Sequence, residues 1–240
     1  MKSLKIGMVG SGFIADWHKQ GFDSVSGAEI VGMCRDFHGD ESRQEQQLKQ
    51  LKSKCSELGL KSYESFAQML SDSSLDALII ASVNPYHYEQ IKAALKHGKH
   101  MIMEKPVVTD TAQLDDIIEY ADKAGCVVFP AHNFVYRPEI VQAKQRIRDG
   151  ALGRTVYGSF MSTHTISDAH SNGWRGKLEL SAGGALMDSG HHLVYQSIYL
   201  MGMPVKIQAF KSNLVLNQMQ GEDIAQINML YADGSMGVVM

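Results

Sequence analysis

Cysteine is scarce in this sequence. Cys34, Cys55 and Cys126 are the only three in 240 residues, and their odd number and lack of any Cys-x-x-Cys spacing argue against a disulfide framework and a zinc ribbon. A reducing, cytoplasmic setting fits such usage. Charge of one sign is equally short. The formal net charge is -3, too small a field to gather nucleic acid or an anionic membrane surface. Long apolar runs are missing as well: Lys2 and Lys5 precede Ile6 to Val9, but that run is too short and glycine-rich for a signal peptide, and no later run could span a bilayer. No Gly-x-Ser-x-Gly motif, Walker loop, aromatic-basic stripe, internal repeat or low-complexity linker occurs. The expected partners are therefore small molecules and other subunits.

What is present is a globular composition, 44% hydrophobic and 20% charged, enough for one large domain or two smaller ones. Leu4 to Val9 is a short apolar run ending in Gly10-Ser11-Gly12-Phe13-Ile14-Ala15, and a helical pattern through Phe13, Ile14 and Trp17 follows. Glu29 to Cys34 is a second apolar run. Glu41 to Leu58 is a polar helix with Leu48, Leu51, Cys55 and Leu58 on one stripe and Gly59 as its stop. Ser62 to Leu70 reads as a short helix. The continuous run Ala77 to Ala81 has the pattern of a strand covered on both faces. Asn84-Pro85 breaks the chain before a helix from Tyr86 to His97, and His100 to Met103, a helix from Thr111 to Ala124, and Cys126 to Ala131 complete the alternation. Strand and helix in such regular succession predict an α/β fold with a doubly wound parallel sheet.

The pattern changes after Ala131. A helix from Pro138 to about Asp149 leads to a strand-like run from Thr155 to Thr163, a polar loop, a helix from about Ala185 to Leu200, and runs at Val205 to Phe210, Ile224 to Tyr231 and Met236 to Met240. Strands in succession predict an antiparallel sheet in an α+β domain, giving expected domains at 1–130 and 131–240. The chain stops inside its last apolar run, so this second domain is expected to continue beyond Met240.

Gly10-x-Gly12-x-x-Ala15 has the spacing and the strand-to-helix context of a dinucleotide fingerprint. The first glycine permits the turn, the second lets a pyrophosphate approach the backbone, and Ala15 keeps helix and strand close. At the end of the second strand, Arg35 could stack on adenine and pair with a 2′-phosphate, whereas Asp36 could bind a free ribose. The choice between NAD and NADP stays open. Glu104-Lys105-Pro106 ends the strand at Met103, and proline keeps the preceding residue out of the αR region, so Lys105 is expected at the sheet's ligand-binding edge.

In Gly183 to His192, Asp188 and His192 lie four apart, on one face of the expected helix, with glycines that let another chain segment or a ligand come close. A histidine beside a carboxylate suits proton transfer near neutral pH. His191 faces elsewhere and is expected to be structural. His132, His164, His170, His191 and His192 lack metal-ligand spacing with a second acidic partner, so no metal is expected.

With Gly10 to Ala15, Asn84-Pro85-Tyr86-His87, Gly98-Lys99-His100, Glu104-Lys105-Pro106 and Gly183 to His192 in this order, nearly the whole chain resembles the Gfo/Idh/MocA family, relatives of glucose-fructose oxidoreductase and inositol dehydrogenase. The resemblance implies an N-terminal Rossmann domain and a second domain whose large, open, mostly antiparallel sheet commonly forms the dimer interface, and hence a homo-oligomer, dimer or tetramer. It implies hydride transfer between a nicotinamide cofactor, NAD or NADP, and a secondary alcohol of a sugar, sugar derivative or cyclitol. Lys105, Asp188 and His192 would be the catalytic trio, joined in an interdomain cleft. Cofactor contacts would come from Gly10, Gly12, Phe13, Ile14, Arg35, Asp36, Asn84, Pro85, His87, Glu104 and Lys105, and substrate contacts from Asn133 and Tyr136. The same fold also serves glycosidases that use transient oxidation, and non-catalytic NAD(P)-binding sensors. Arg35 departs from the family's frequent acidic residue.

Overall fold

The computed structural model describes residues 3–167 and 171–240. Of the five histidines considered as a metal set, His170 lies outside the described residues. The chain forms two compact units, Met1–Ala131 and His132–Met240.

The first unit runs β1 (Leu4–Val9), α1 (Phe13–Phe22), β2 (Ala28–Cys34), α2 (Glu41–Leu58), β3 (Lys61–Ser62), α3 (Phe66–Leu70), β4 (Ala77–Ile80), α4 (Asn84–Lys96), β5 (His100–Met103), α5 (Thr111–Ala124) and β6 (Val128–Pro130). Its six-stranded sheet has the order β3-β2-β1-β4-β5-β6, and every pairing is parallel. The strand order reverses between β1 and β4, the switch point beside which such sheets bind ligands. The unbroken apolar run in β4 has a direct cause. Leu78 and Ile80 pack into one core with Ile91, Leu95 and Ile117, while Ile79 enters the core on the other face with Leu51 and Cys55. Each such buried aliphatic side chain is worth about 1.5–3 kcal/mol of transfer free energy.

Helix ends follow local chemistry. Asp40 accepts from the Arg43 N–H and opens α2, Asp110 accepts from the Ala112 N–H and opens α5, and Gly59 and Gly125 end those helices in the left-handed region. Two expectations are corrected in this half. Lys61 and Ser62 pair with Gly32 and Met33 as strand β3, so the helix expected from Ser62 starts only at Phe66, capped by Ser65. Asn84 and Pro85, expected as a break, open α4 instead, because proline's fixed φ suits a first helical turn, where its missing N–H costs nothing.

The second unit holds α6 (Pro138–Arg148), β7 (Tyr157–Phe160), α7 (Leu178–Ser181), a π-helical turn (Leu186–Gly190), α8 (His191–Met201), β8 (Lys206–Ser212), β9 (Ile224–Leu230) and β10 (Met236–Val239). Its sheet has the order β7-β10-β9-β8. The pairings of β10 with β9 and of β9 with β8 are antiparallel, and β7 joins β10 in parallel. Leu193 of α8 packs with Ile227, Met229, Tyr231 and Val239 to form the core. The side of the sheet away from α8 is open, with Phe210 62%, Tyr157 56% and Met236 54% exposed. The single helix expected from Ala185 to Leu200 divides into the π turn and α8. No helix among the described residues is long and apolar enough to cross a membrane.

Candidate active site

The glycine turn after β1 separates two demands that its motif combines. Gly10 donates its N–H to the Cys34 carbonyl at 2.9 Å and has φ +114. A Cβ there would stand 2.4 Å from the Ala81 carbonyl oxygen, so the turn after β1, packed against the end of β4, requires glycine. Gly12 is different: its backbone is extended, it opens α1 without a side-chain cap, and an added Cβ would meet nothing within 4 Å. The fold leaves that space open above the first-turn N–H groups, at the positive end of the helix dipole, where a pyrophosphate fits. Ala15 is fully buried against the sheet. Lys54 of α2 donates to the Ser11 carbonyl at 2.9 Å and pairs with Asp16 at 2.6 Å, pinning the turn. Ile14 is half-buried. Phe13 and Trp17, expected to form an ordinary helical stripe, are 60% and 65% exposed and pack edge to face at 6.1 Å. The cradle fits a dinucleotide.

At the end of β2 the two charged candidates have different partners. The Arg35 Nε donates to the Asp36 carbonyl at 3.3 Å. The Asp36 carboxylate accepts from Gln90 of α4 at 3.0 Å, and Gln90 in turn accepts from Ser82 at 2.5 Å. Just beyond, the rings of His38 and Tyr86 stack at 5.4 Å. Asp36 is therefore held from α4, while Arg35 is held through a backbone contact to its neighbour.

The corner after β5 is braced from two sides. Glu104 continues the ladder through its N–H to the Ile80 carbonyl, and its side chain meets His18 of α1 at 2.7 Å and the Lys105 N–H at 3.3 Å. Burial raises the Glu104 pKa, but the hydrogen bond and charge of His18, with the N–H and charge of Lys105, outweigh it and hold the carboxyl below its ordinary value. His87, expected beside nicotinamide and ribose, braces the corner from within. It is 1% exposed, and its ring nitrogens lie 2.8 Å from the Pro106 carbonyl and 3.1 Å from the Ser82 carbonyl. Burial pushes its pKa down despite those carbonyls. Asn84 is buried beneath the first turn of α4, Pro85 is exposed on it, and Lys105 is half-buried. The Lys105–Pro106 peptide is cis.

In the second unit, Gly183 and Gly184 take up another chain segment. A Cβ on Gly184 would overlap the Glu222 backbone, and one on Gly221 would overlap Gly184. The buried Glu222 carboxylate accepts from the N–H groups of Gly184 at 3.2 Å and Leu186 at 3.1 Å, capping the π turn. Asp188, in that turn, accepts from the Arg175 guanidinium at 3.2 Å, and Arg175 lies over the Trp174 ring. His192, in the first turn of α8, stacks on Phe134 with ring centres 4.2 Å apart, and its Nδ1 is 2.6 Å from the Tyr195 hydroxyl. The 3-10 turn Asn133–Tyr136 carries both substrate candidates: Asn133 accepts from the Tyr195 hydroxyl at 3.4 Å, and Tyr136 is exposed.

His191, expected to be structural, joins this ring cluster. Its Nε2 is 3.2 Å from the Nε2 of His132, whose own ring stacks on Tyr195 and whose pKa burial lowers. Among the described residues no group of three or more His, Cys, Asp or Glu could hold a metal ion.

His18, Arg175, Tyr195 and Glu222 escaped the sequence reading. Only Tyr195 left a local signal, its i,i+3 spacing from His192 on one helix.

Residues 4–132 match the oxidoreductase family with the NAD-binding Rossmann fold, and residues 140–240 match the GFO/IDH/MocA C-terminal domain. The chain belongs to the Gfo/Idh/MocA family, and its first unit is the family's NAD-binding domain. It is 27% identical over 242 residues to a D-apiose dehydrogenase of Paraburkholderia graminis, a match that takes in 100% of the chain and 60% of the relative. It is 32% identical over 157 residues to an inositol 2-dehydrogenase/D-chiro-inositol 3-dehydrogenase of Lactiplantibacillus plantarum, over 63% of the chain and 42% of the relative. The chain thus spans well under two thirds of these curated relatives. Among solved structures, the WlbA dehydrogenase of Bordetella pertussis in complex with NADH and UDP-GlcNAcA superposes with a TM-score of 0.87 at 24% identity, over 99% of this chain and 71% of that one. This likeness shows the fold.

Proposed function

We propose that the chain is the greater part of an NAD(P)-dependent oxidoreductase that moves a hydride between a nicotinamide cofactor and a secondary alcohol of a sugar, sugar derivative or cyclitol. The observation that carries the reading is the family match of both units, with the open space at Gly12 and the residues Lys105, Asp188 and His192 all present. Gly10, Gly12, Phe13 and Ile14 would cradle the pyrophosphate, Arg35 and Asp36 would meet the adenosine ribose, and Asn84, Pro85, Glu104 and Lys105 would flank the nicotinamide end. When bound, the nicotinamide supplies the acceptor for the carbinol hydride. His192 takes the hydroxyl proton and passes it to solvent, so the alcohol leaves as a carbonyl with two electrons and one proton transferred as hydride. Lys105 donates a hydrogen bond to the reacting oxygen, Asp188 holds a neighbouring hydroxyl, and Asn133 and Tyr136 contact the rest of the substrate. Arg175 holds the Asp188 carboxylate in place for that role, with its Nε 3.2 Å away.

The same reading makes the protein a homo-oligomer, built from dimers that bury the open sheet face of Tyr157, Phe210 and Met236, since exposed apolar side chains gathered on one uncovered face mark an interface. It also makes it cytoplasmic, in keeping with the three free thiols. A spectrophotometric screen of sugars, sugar derivatives and cyclitols with both cofactors tests the activity. Reduced nicotinamide should appear with at least one substrate class, and none with any would overturn the proposal. Light scattering at micromolar concentration should give a dimer or a larger multiple, and a monodisperse monomer would refute the assembly.

A further inference from the structure

We infer that Tyr195 is a positioning residue that selects the tautomer of His192, keeping the proton on Nδ1 so that the lone pair that takes the substrate proton belongs to Nε2. This rests on the reading of His192 as proton acceptor, but its structural half stands on the second unit alone. The Tyr195 side chain is buried, and groups from two parts of the second unit meet its hydroxyl. The Phe134 N–H donates to it at 3.1 Å, it donates to the Asn133 Oδ1 at 3.4 Å, and the His192 Nδ1 lies 2.6 Å away.

A phenol has one hydrogen to give and lone pairs to receive. With that hydrogen on Asn133 and one lone pair facing the Phe134 N–H, the oxygen completes its set by accepting from the His192 Nδ1–H. The imidazole of a neutral histidine carries one proton, so Nδ1–H leaves the basic lone pair on Nε2. Two stacking contacts keep the geometry in place: Phe134 lies over the His192 ring at 4.2 Å, and His132 lies over the Tyr195 ring at 4.3 Å. Phe134 thus contributes twice, by its ring to His192 and by its N–H to Tyr195. Asn133, a proposed substrate contact, is also the group that orients the hydroxyl.

The test reads the tautomer in the cofactor-free protein, before any substrate is known. With the imidazole nitrogens labelled with nitrogen-15 and the His192 signals assigned by their loss in His192→Gln, long-range proton–nitrogen correlation at a pH where the ring is neutral should show Nδ1–H. Tyr195→Phe should move His192 toward Nε2–H. So should Asn133→Ala, an exposed position that frees the hydroxyl hydrogen to turn toward Nδ1, and that variant serves if Tyr195→Phe fails to fold. An Nε2–H tautomer in the unaltered protein, or an unchanged signal in the variants, would overturn the inference.

Once a substrate is found, Tyr195→Phe should lower kcat by up to about 10²-fold, the cost of a misaligned reacting group, with KM little changed. A tautomer shift with unaltered turnover would uphold the positioning and remove His192 from the proposed mechanism, so the two failures are distinguishable.

Discussion

Alanine at Gly12 and alanine at Gly10 should fail in different ways. Gly12 has φ -74 and ψ -176, a conformation open to any L residue, and its added Cβ meets nothing within 4 Å. Replacing a helix-capping glycine by alanine costs a few tenths to about 1 kcal/mol, and restricting the unfolded chain returns about 0.4–1 kcal/mol. The two offset, so Gly12→Ala should unfold in urea within about 0.5 kcal/mol of the unaltered protein.

Gly10→Ala forces a side chain to φ +114, which costs about 1–3 kcal/mol in strain. Its Cβ also lies 2.4 Å from the Ala81 carbonyl oxygen, so the ends of β1 and β4 must part. A loss above about 3 kcal/mol is expected. Binding should reverse the contrast for Gly12: a methyl group in the space kept for the pyrophosphate should remove one charge-assisted hydrogen bond, about 1.5–3 kcal/mol, or roughly 10- to 10²-fold in affinity. Calorimetric titration with NADH and NADPH measures it. If Gly12→Ala binds both as tightly as the unaltered protein, the space above α1 is not the cofactor's and the assignment of the cradle is wrong.

Four further variants test the site. Lys105→Met keeps the stem and removes the donor, so it should lower turnover with cofactor affinity nearly unchanged, while His192→Ala should lower turnover by about 10²–10⁴-fold and recover partly as pH rises; near-normal turnover in either would remove that residue from the mechanism. Arg35→Ala should weaken NADPH binding by about 1–3 kcal/mol and spare NADH if the guanidinium meets a 2′-phosphate, and equal affinities before and after would assign cofactor choice elsewhere. Glu104 has a folded pKa below its ordinary 4.5, so its ionised form contributes stability above that value and loses it as pH falls through the folded one. The stability gap between the unaltered protein and Glu104→Gln, followed by urea unfolding across pH, should be widest above 4.5 and narrow below it; a gap that is flat with pH would show that His18 and the corner do not stabilise the charge.

The alternation of apolar runs with helical stripes was legible in the sequence because it is local. The covered run of β4 shows this: its side chains alternate between two cores, so all must be apolar, and that needs no knowledge of which helices cover it. The bounds of α2 and α5 were legible for the same reason, since Glu41 to Leu58 and Thr111 to Ala124 are fenced by residues that cap within a few positions. The two-residue strand β3 was not, because Lys61 and Ser62 have no periodicity of their own and become a strand only by pairing with Gly32 and Met33.

Within each unit the site divides along the same line. Gly10, Gly12, Lys105, Asp188 and His192 are marked by their immediate neighbours: glycine spacing after a strand, a lysine before proline, an acid four residues from a histidine. Their partners are not. His18 reaches Glu104 across 86 positions, Glu222 caps Gly184 across 38, and Tyr195 meets Asn133 across 62, and no local rule encodes such distances. The burial of His87 and the exposure of Phe13 and Trp17 were likewise decided by packing, since an apolar stripe says that residues share a face and not what the face meets. Short-range sterics and periodicity were enough to write the family's elements into the sequence; which ring stacks on His192, and which carbonyls hold His87, depended on chain segments that only the closed fold brings within reach.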